Sequence, residues 1–251
     1  EYGVIMNINK ARELKPNASR IEKDLNDLSS FTDTAIDGWT REAFSPWYKE
    51  GREWLKGRMQ QAGLNVHVDP ASNMIGRREG SDPDAPCIML GSHTDTVKNG
   101  GRFDGMAGVI TGIEIARLLQ ESETVLRHPI EVVDFTAEGR TEFGISTIGS
   151  KGRAGNLTEQ MLELSDPKGR ILRDVLLEFG ADRNALPQGA MRSSDVAAYL
   201  ELNIEQGPVM EKPGNILGAV TGQVGIQRFL FNVKGRADHA GTTPMDKRLD
   251  A

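Results

Sequence analysis

The stretch Cys87-Ile88-Met89-Leu90-Gly91-Ser92-His93 reads as a short buried strand that ends on a polar turn. Further on, Gly105 to about Leu119 carries Val109, Ile113, Ala116 and Leu119 at the spacing of one helical face. The run Ile130-Glu131-Val132-Val133-Asp134-Phe135 is a second buried-strand candidate, ending at Glu138. Strand, helix and strand in that order predict an α/β layered sheet. Ligands in such sheets gather outside the carboxyl ends of the strands. His93, Glu138 and Asn203 all fall at or near such ends.

Working outward, Ser19 and Glu22 form a capping-box pair for a helix over 19–29, with Ile21, Leu25 and Leu28 on one face. A second helix is expected from Pro46 to about Ala62, capped by Ser45 and stopped by Gly63. Leu64, Val66 and Val68 alternate with polar residues as in a strand, Asp69-Pro70 turns the chain, and Asn73 to Arg78 supplies a partner. A helix near 169–179 and a strand over Tyr199 to Ile204 follow. Phe229, Phe231 and Val233 alternate again before Gly235.

Composition bounds the function. The chain has 251 residues with 30 Lys plus Arg against 36 Asp plus Glu, a net charge of -6. That balance argues against nucleic-acid binding, which needs a basic face to displace counterions. No apolar run approaches the ~20 residues that span a bilayer, so no membrane partner is expected. The single cysteine, Cys87, lies in an apolar run and reads as a small core residue. One cysteine makes no intrachain disulfide, which fits a reducing compartment or indifference to redox; a cytoplasmic location is the expectation.

Four stretches could carry chemistry. In Gly91-Ser92-His93-Thr94-Asp95-Thr96-Val97, His93 offers a ring nitrogen to a metal ion, and Asp95 could hold the other nitrogen and fix the tautomer. In Gly100-Gly101-Arg102-Phe103-Asp104-Gly105, Asp104 is a hard oxygen donor beside a glycine. Glu138, at a strand end, suits a general base. The third and fourth stretches are Glu201-Leu202-Asn203-Ile204-Glu205-Gln206-Gly207-Pro208 and Asp238-His239-Ala240-Gly241-Thr242-Thr243-Pro244-Met245. His239 there could reach an oxyanion or a substrate carbonyl. Taken singly, these are also ordinary structural features: a polar turn at 93–95, a helix cap at Asp104, a solvated strand-end glutamate and a loop histidine. His67 alternates with apolar residues and should face solvent, and His128 before Pro129 should be a turn residue.

The four stretches, in this order and at these separations, resemble the M20 metallopeptidase superfamily. The branch is that of N-carbamoyl-L-amino acid hydrolases, allantoate amidohydrolases and ureidoglycolate amidohydrolases. The resemblance implies a mixed-sheet, zinc-peptidase-like catalytic domain over 1–222, and the beginning of an inserted α+β lid and dimerisation domain over 223–251. It implies that His93 binds one of two divalent ions, zinc or manganese, that Asp104 bridges both, and that Asp95 supports His93. Glu138 would be the general base, and Gln227 and His239 would contact a small carboxylate substrate. In the family the histidine matching His239 reaches the other subunit of a homodimer.

The sequence departs from that pattern at two metal ligands. Gly139 stands where the family has the second of two adjacent glutamates, and Asn203 where it has a histidine. Glu142 stands where an arginine is usual. One ion would keep His93 and Asp104 with Asn203 as a poor amide ligand, and the other Asp104 alone, whereas catalytic zinc usually has three protein ligands plus water. Two functions are therefore weighed: hydrolysis of C–N bonds in small N-carbamoyl or ureido carboxylates through metal-activated water, and a catalytically impaired relative that binds a small carboxylate.

Overall fold

The computed structural model describes residues 13–182, 184–186, 190–225, 229 and 231–250. The chain divides into two compact units, one up to Ile204 and one from Glu205.

In the first unit, α1 (Ala18–Ser29) and α2 (Pro46–Gln61) precede β1 (Asn65–Val68), β2 (Met74–Arg78) and β3 (Cys87–Ser92). Then come α3 (Met106–Glu121), β4 (Ile130–Asp134), α4 (Ile148–Arg153), α5 (Glu159–Leu162), α6 (Leu172–Glu178) and β5 (Val196–Leu200). The strands form one mixed sheet in the order β1-β2-β4-β3-β5. β1 and β2 are antiparallel, as are β2 and β4, whereas β3 runs parallel to both β4 and β5. The expected β3-α3-β4 crossover is present, with Ile88 opposite Ile130 and Ser92 opposite Asp134.

Strand alternation sends Ile88, Leu90 and Val132 to one face, where α1, α2 and α3 cover them with Leu28, Leu55, Met59, Ile110 and Ile113. Each fully buried Leu or Ile there contributes about 2 kcal/mol. Cys87, Met89 and Val133 point to the opposite face with Ile75, beside Phe135, Met191 and Val196. A separate cluster built on Phe44, Ile148, Leu172 and Leu176 packs α4 and α6. α1 is fastened to α3 by ion pairs, Arg117–Asp24 at 2.6 Å and Arg20–Glu114 at 2.7 Å. Removing Arg117 would leave the buried Asp24 carboxylate with Arg58, at 3.3 Å, as its remaining cation, so the loss should stay below the ~3–5 kcal/mol of a buried charge left with no partner.

Three local expectations are corrected. The cap of α1 is Asn17, whose side chain accepts the Arg20 N–H, so the helix starts before the Ser19–Glu22 pair. The last strand is Val196–Leu200, not Tyr199 to Ile204. Its ladder with β3 ends at the Leu90–Leu200 pair, and β3 turns away at His93, leaving 201–204 without a ladder. Phe229, Phe231 and Val233 form no strand among the described residues, and all three are exposed. Elsewhere the reading holds: Ser45 caps α2 with Pro46 at its first turn, Cys87 is buried and His67 is exposed. His128 points its Nδ1 at the Pro86 carbonyl, 2.7 Å away. Among the described residues no helix is long and apolar enough to cross a membrane.

Candidate functional site

The site is built on the carboxyl edge of the parallel pair β3 and β4. Their last paired residues are Ser92 and Asp134, and the Phe135 N–H donates to the Ser92 carbonyl at 2.8 Å. Both chains leave the sheet together here, so His93 and Glu138 emerge side by side. His93 is 4% exposed. Its Nε2 lies 3.6 Å from a Glu138 carboxylate oxygen and 4.0 Å from Asp104 Oδ1.

The other ring nitrogen, Nδ1, sits 2.9 Å from the backbone carbonyl of Asp95 and 3.7 Å from its carboxylate. A carbonyl only accepts, so Nδ1 carries a proton, and whenever the ring is neutral it is Nε2 that stands bare toward Glu138 and Asp104. The tautomer is thus fixed by the Asp95 main chain. Burial disfavours the imidazolium, but Asp95, Glu138 and Asp104 together raise the His93 pKa above the ordinary value.

The Asp95 carboxylate has different partners. Oδ1 accepts the Glu138 N–H at 3.1 Å and Oδ2 the Gly139 N–H at 3.0 Å. Ala137, just before, has φ +53°, the left-handed conformation that aims both N–H groups back at Asp95. Asp95 therefore fixes the backbone from which Glu138 projects. Glu138 itself is half-exposed, and its carboxyl is raised, chiefly by burial; His93 opposes the rise while Asp95, Asp104 and Glu201 add to it.

Asp104 immediately precedes the N-cap of α3, Gly105, whose φ is +68°. A Cβ at Gly105 would lie 2.4 Å from His93 Nε2, so the imidazole rests on backbone that only glycine leaves open. Beneath the turn, the Thr94 hydroxyl donates to Asp134 Oδ2 at 3.1 Å. Asp134 has no exposed surface, its Oδ1 is buried without a hydrogen-bond partner, and Arg52 lies 4.0 Å from Oδ2. Burial pushes its carboxyl up to about 6.

A cavity of about 540 Å³ opens beside His93 and Glu138, with Met89, Phe135, Tyr199 and Glu201 among its walls. Glu201 is the residue that sequence reasoning passed over. Its carboxylate accepts Ser92 Oγ at 2.7 Å and Tyr199 Oη at 2.6 Å. The available signal was its period-two spacing from Tyr199 and Asn203 on one extended segment.

Asn203 is exposed and is not brought against His93. Its Oδ1 accepts the Ile204 N–H at 2.8 Å, and its Nδ2 donates to Glu201 at 3.4 Å. Gln227 lies outside the described residues. His239 belongs to the second unit, where its Nδ1 accepts the N–H groups of Gly241 and Thr242 at 3.1 and 3.2 Å. Those bonds leave the proton on Nε2, a donor suited to a carbonyl oxygen.

The donor set does not complete a catalytic metal site. Donors sharing a tetrahedral zinc at ~2.1 Å stand roughly 3.4 Å apart, so His93 with Asp104 or Glu138 is slightly wide of that spacing. Among the described residues no group of three or more His, Cys, Asp or Glu side chains is placed to hold an ion. Asn203 commits its oxygen elsewhere, and position 139 has no side chain to offer.

Comparison with known proteins extends this picture. Residues 73–204 match the model of peptidase family M28. The chain is 42% identical over 238 residues to an N-carbamoyl-L-amino-acid amidohydrolase of Paenarthrobacter aurescens, covering 94% of this chain and 58% of that protein. It is 33% identical to a ureidoglycolate hydrolase of Oryza sativa, covering 92% of this chain and 49% of the relative. The structure of a hydantoinase/carbamoylase family amidase from Burkholderia ambifaria superposes with a TM-score of 0.74 at 34% identity, over 94% of this chain and 57% of that one. The chain thus spans about half the length of the curated relatives it matches.

Proposed function

Because the chain belongs to the M28/M20-like hydrolases, we propose that it carries the histidine–carboxylate part of an enzyme that hydrolyses C–N bonds in small N-carbamoyl or ureido carboxylates. The observation that carries this reading is the convergence of buried His93 with Glu138 and Asp104, at 3.6 and 4.0 Å, on the carboxyl edge of β3 and β4. The names of the relatives supply the substrate class: N-carbamoyl amino acids and ureidoglycolate.

In this reading Glu138 removes a proton from the attacking water and passes it to the leaving nitrogen, a double duty that its raised pKa favours. Asp95 keeps Glu138 on station through the two backbone N–H bonds. The resemblance gives His239 and Gln227 contacts to the substrate, and the Nε2 proton of His239 suits it to a carbonyl oxygen. Divalent metal belongs to the family's chemistry in general. The described residues fall short of a metal site, so no step is assigned to an ion. A homodimer of the complete protein, a cytoplasmic location, and a domain boundary near residue 222 belong to the same proposal.

A second reading is favoured by the donor count: a relative that binds a small carboxylate without turning it over. The two are separated by measuring metal content after purification and ammonia release from N-carbamoyl amino acids and allantoate. Turnover that is lost on Glu138→Gln supports the hydrolase. Ligand binding with no ammonia release supports the alternative. Gly139→Glu would add a carboxylate to the loop that Asp95 holds; a Cβ at 139 meets Asp95 Oδ2 at 3.2 Å, so the Asp95 carboxylate must give by a few tenths of an ångström, and metal content with and without the change measures the gain.

A further inference from the structure

Arg41 lies 52 residues before His93 in the chain, yet its side chain ends beneath the His93 turn. It is 3% exposed. Its Nε donates to the Thr94 carbonyl at 2.7 Å, and Nη1 donates to the carbonyls of Leu28 and Phe31 at 2.9 and 3.0 Å. Nη2 reaches Met106 Sδ at 3.4 Å. The four acceptors are three carbonyl oxygens and a thioether sulfur. They belong to the end of α1, the turn after β3 and the first residue of α3.

The Arg41 backbone joins the same turn twice. Its N–H donates to Thr96 Oγ1 at 2.8 Å, and its carbonyl accepts the Thr96 N–H at 2.9 Å. α2 makes room for the stem: Gly51 faces it, and a Cβ there would stand 3.3 Å from Arg41 Cδ. Burial lowers the guanidinium to about 10, with Asp134 and Asp95 opposing, so it stays charged at neutral pH. Burying a cation is costly unless its donors are paired, and here Nε, Nη1 and Nη2 each have an acceptor.

We propose that Arg41 is a positioning residue for the candidate site: by tying the Thr94 carbonyl to the end of α1 and the start of α3, it sets the His93–Asp95 turn against Asp104. His93 meets the Asp95 carbonyl through Nδ1 only if that turn keeps its pitch, and Asp104 faces Nε2 only if α3 begins where Met106 is held. Neither the charge count nor any motif assigns Arg41 a part; its bonds do. The proposal rests on reading His93 as the anchor of the site. Its test needs no turnover, so a failed hydrolysis assay and a failed positioning test remain distinct results.

The experiment uses the 251-residue chain labelled with ¹⁵N-histidine. It follows the exchange rate of the His93 Nδ1 proton by NMR, with His93→Asn to assign the signal among four histidines. In the native chain the proton is shielded by its bond to the Asp95 carbonyl. Arg41→Met, with far-UV dichroism and a cooperative urea melt confirming the fold, is expected to exchange it at least tenfold faster. Arg41→Lys, which keeps the charge and part of the donor set, is expected to fall between. A folded Arg41→Met chain with a native exchange rate overturns the proposal. Should Arg41→Met not fold, Gly51→Ala decides, because it favours the helix while pressing on the Arg41 stem; an unchanged exchange rate there overturns the proposal equally.

Discussion

Replacing Asp134 with asparagine should make the protein more stable at neutral pH, and the gain should vanish in acid. Burial raises this carboxyl from the ordinary 3.8 to about 6, with Arg52 opposing and Asp95 assisting. A raised pKa in the folded state means that the folded chain binds the proton more tightly than the unfolded chain does. The contribution of the group is therefore fully present below about pH 4. It is lost as pH rises through about 6, because there the folded chain gives up a proton the unfolded chain has already lost. A rise of that size corresponds to about 3 kcal/mol. Asp134→Asn keeps the size and an acceptor for the Thr94 hydroxyl while removing the charge. Urea melts of both chains at steps between pH 4 and pH 8 measure the difference. The expected gap is near zero at pH 4 and grows to about 3 kcal/mol in favour of the variant by pH 7. A gap that does not change with pH, or a native chain that is the more stable at pH 7, refutes the reasoning.

Other perturbations bear on the site itself. Gly105→Ala places a methyl 2.4 Å from His93 Nε2 on backbone at φ +68°, so it should cost about 1–3 kcal/mol and shift the His93 ring resonances; unmoved resonances would contradict the packing described. Asp95→Asn turns one acceptor into a donor facing an N–H, and hydrolysis should drop by about 10- to 100-fold, as for other supporting contacts at such sites, with the fold retained by dichroism. Glu138→Gln should lower kcat by about 10²- to 10⁴-fold, the range for loss of a general base, with KM little altered. Glu201→Gln leaves Ser92 and Tyr199 facing an amide, and removing that charge should lower the Glu138 pKa, read as an acid-side displacement in a carboxyl-labelled NMR titration.

The crossover unit was legible because each strand is a short apolar run and the helix between them repeats on one face. The pair His93 and Glu138 was legible for a related reason: parallel strands deliver their ends to one edge. Asn17 was missed because a downstream Ser-x-x-Glu pattern competes for the same helix start, and only the bond to the Arg20 N–H distinguishes them. The Asp95 carboxylate was expected on His93 and is found on the N–H groups of Glu138 and Gly139; a side chain two residues from an imidazole has a backbone carbonyl as rival, and the carbonyl lies closer. Arg41 could not be read at all, since its role depends on acceptors brought together from three separate elements. Position 203 shows the converse, where the motif drew attention to a residue that the fold leaves exposed.

The grip of Asp95 on the main chain at 138 and 139 has a consequence for any donor introduced there. What stands at position 139 is held by its N–H, and any side chain there shares space with the same Asp95 oxygen, 3.2 Å from where its Cβ would lie. A donor added at 139 would therefore arrive on backbone that is already anchored, with the Asp95 carboxylate as the group that has to yield.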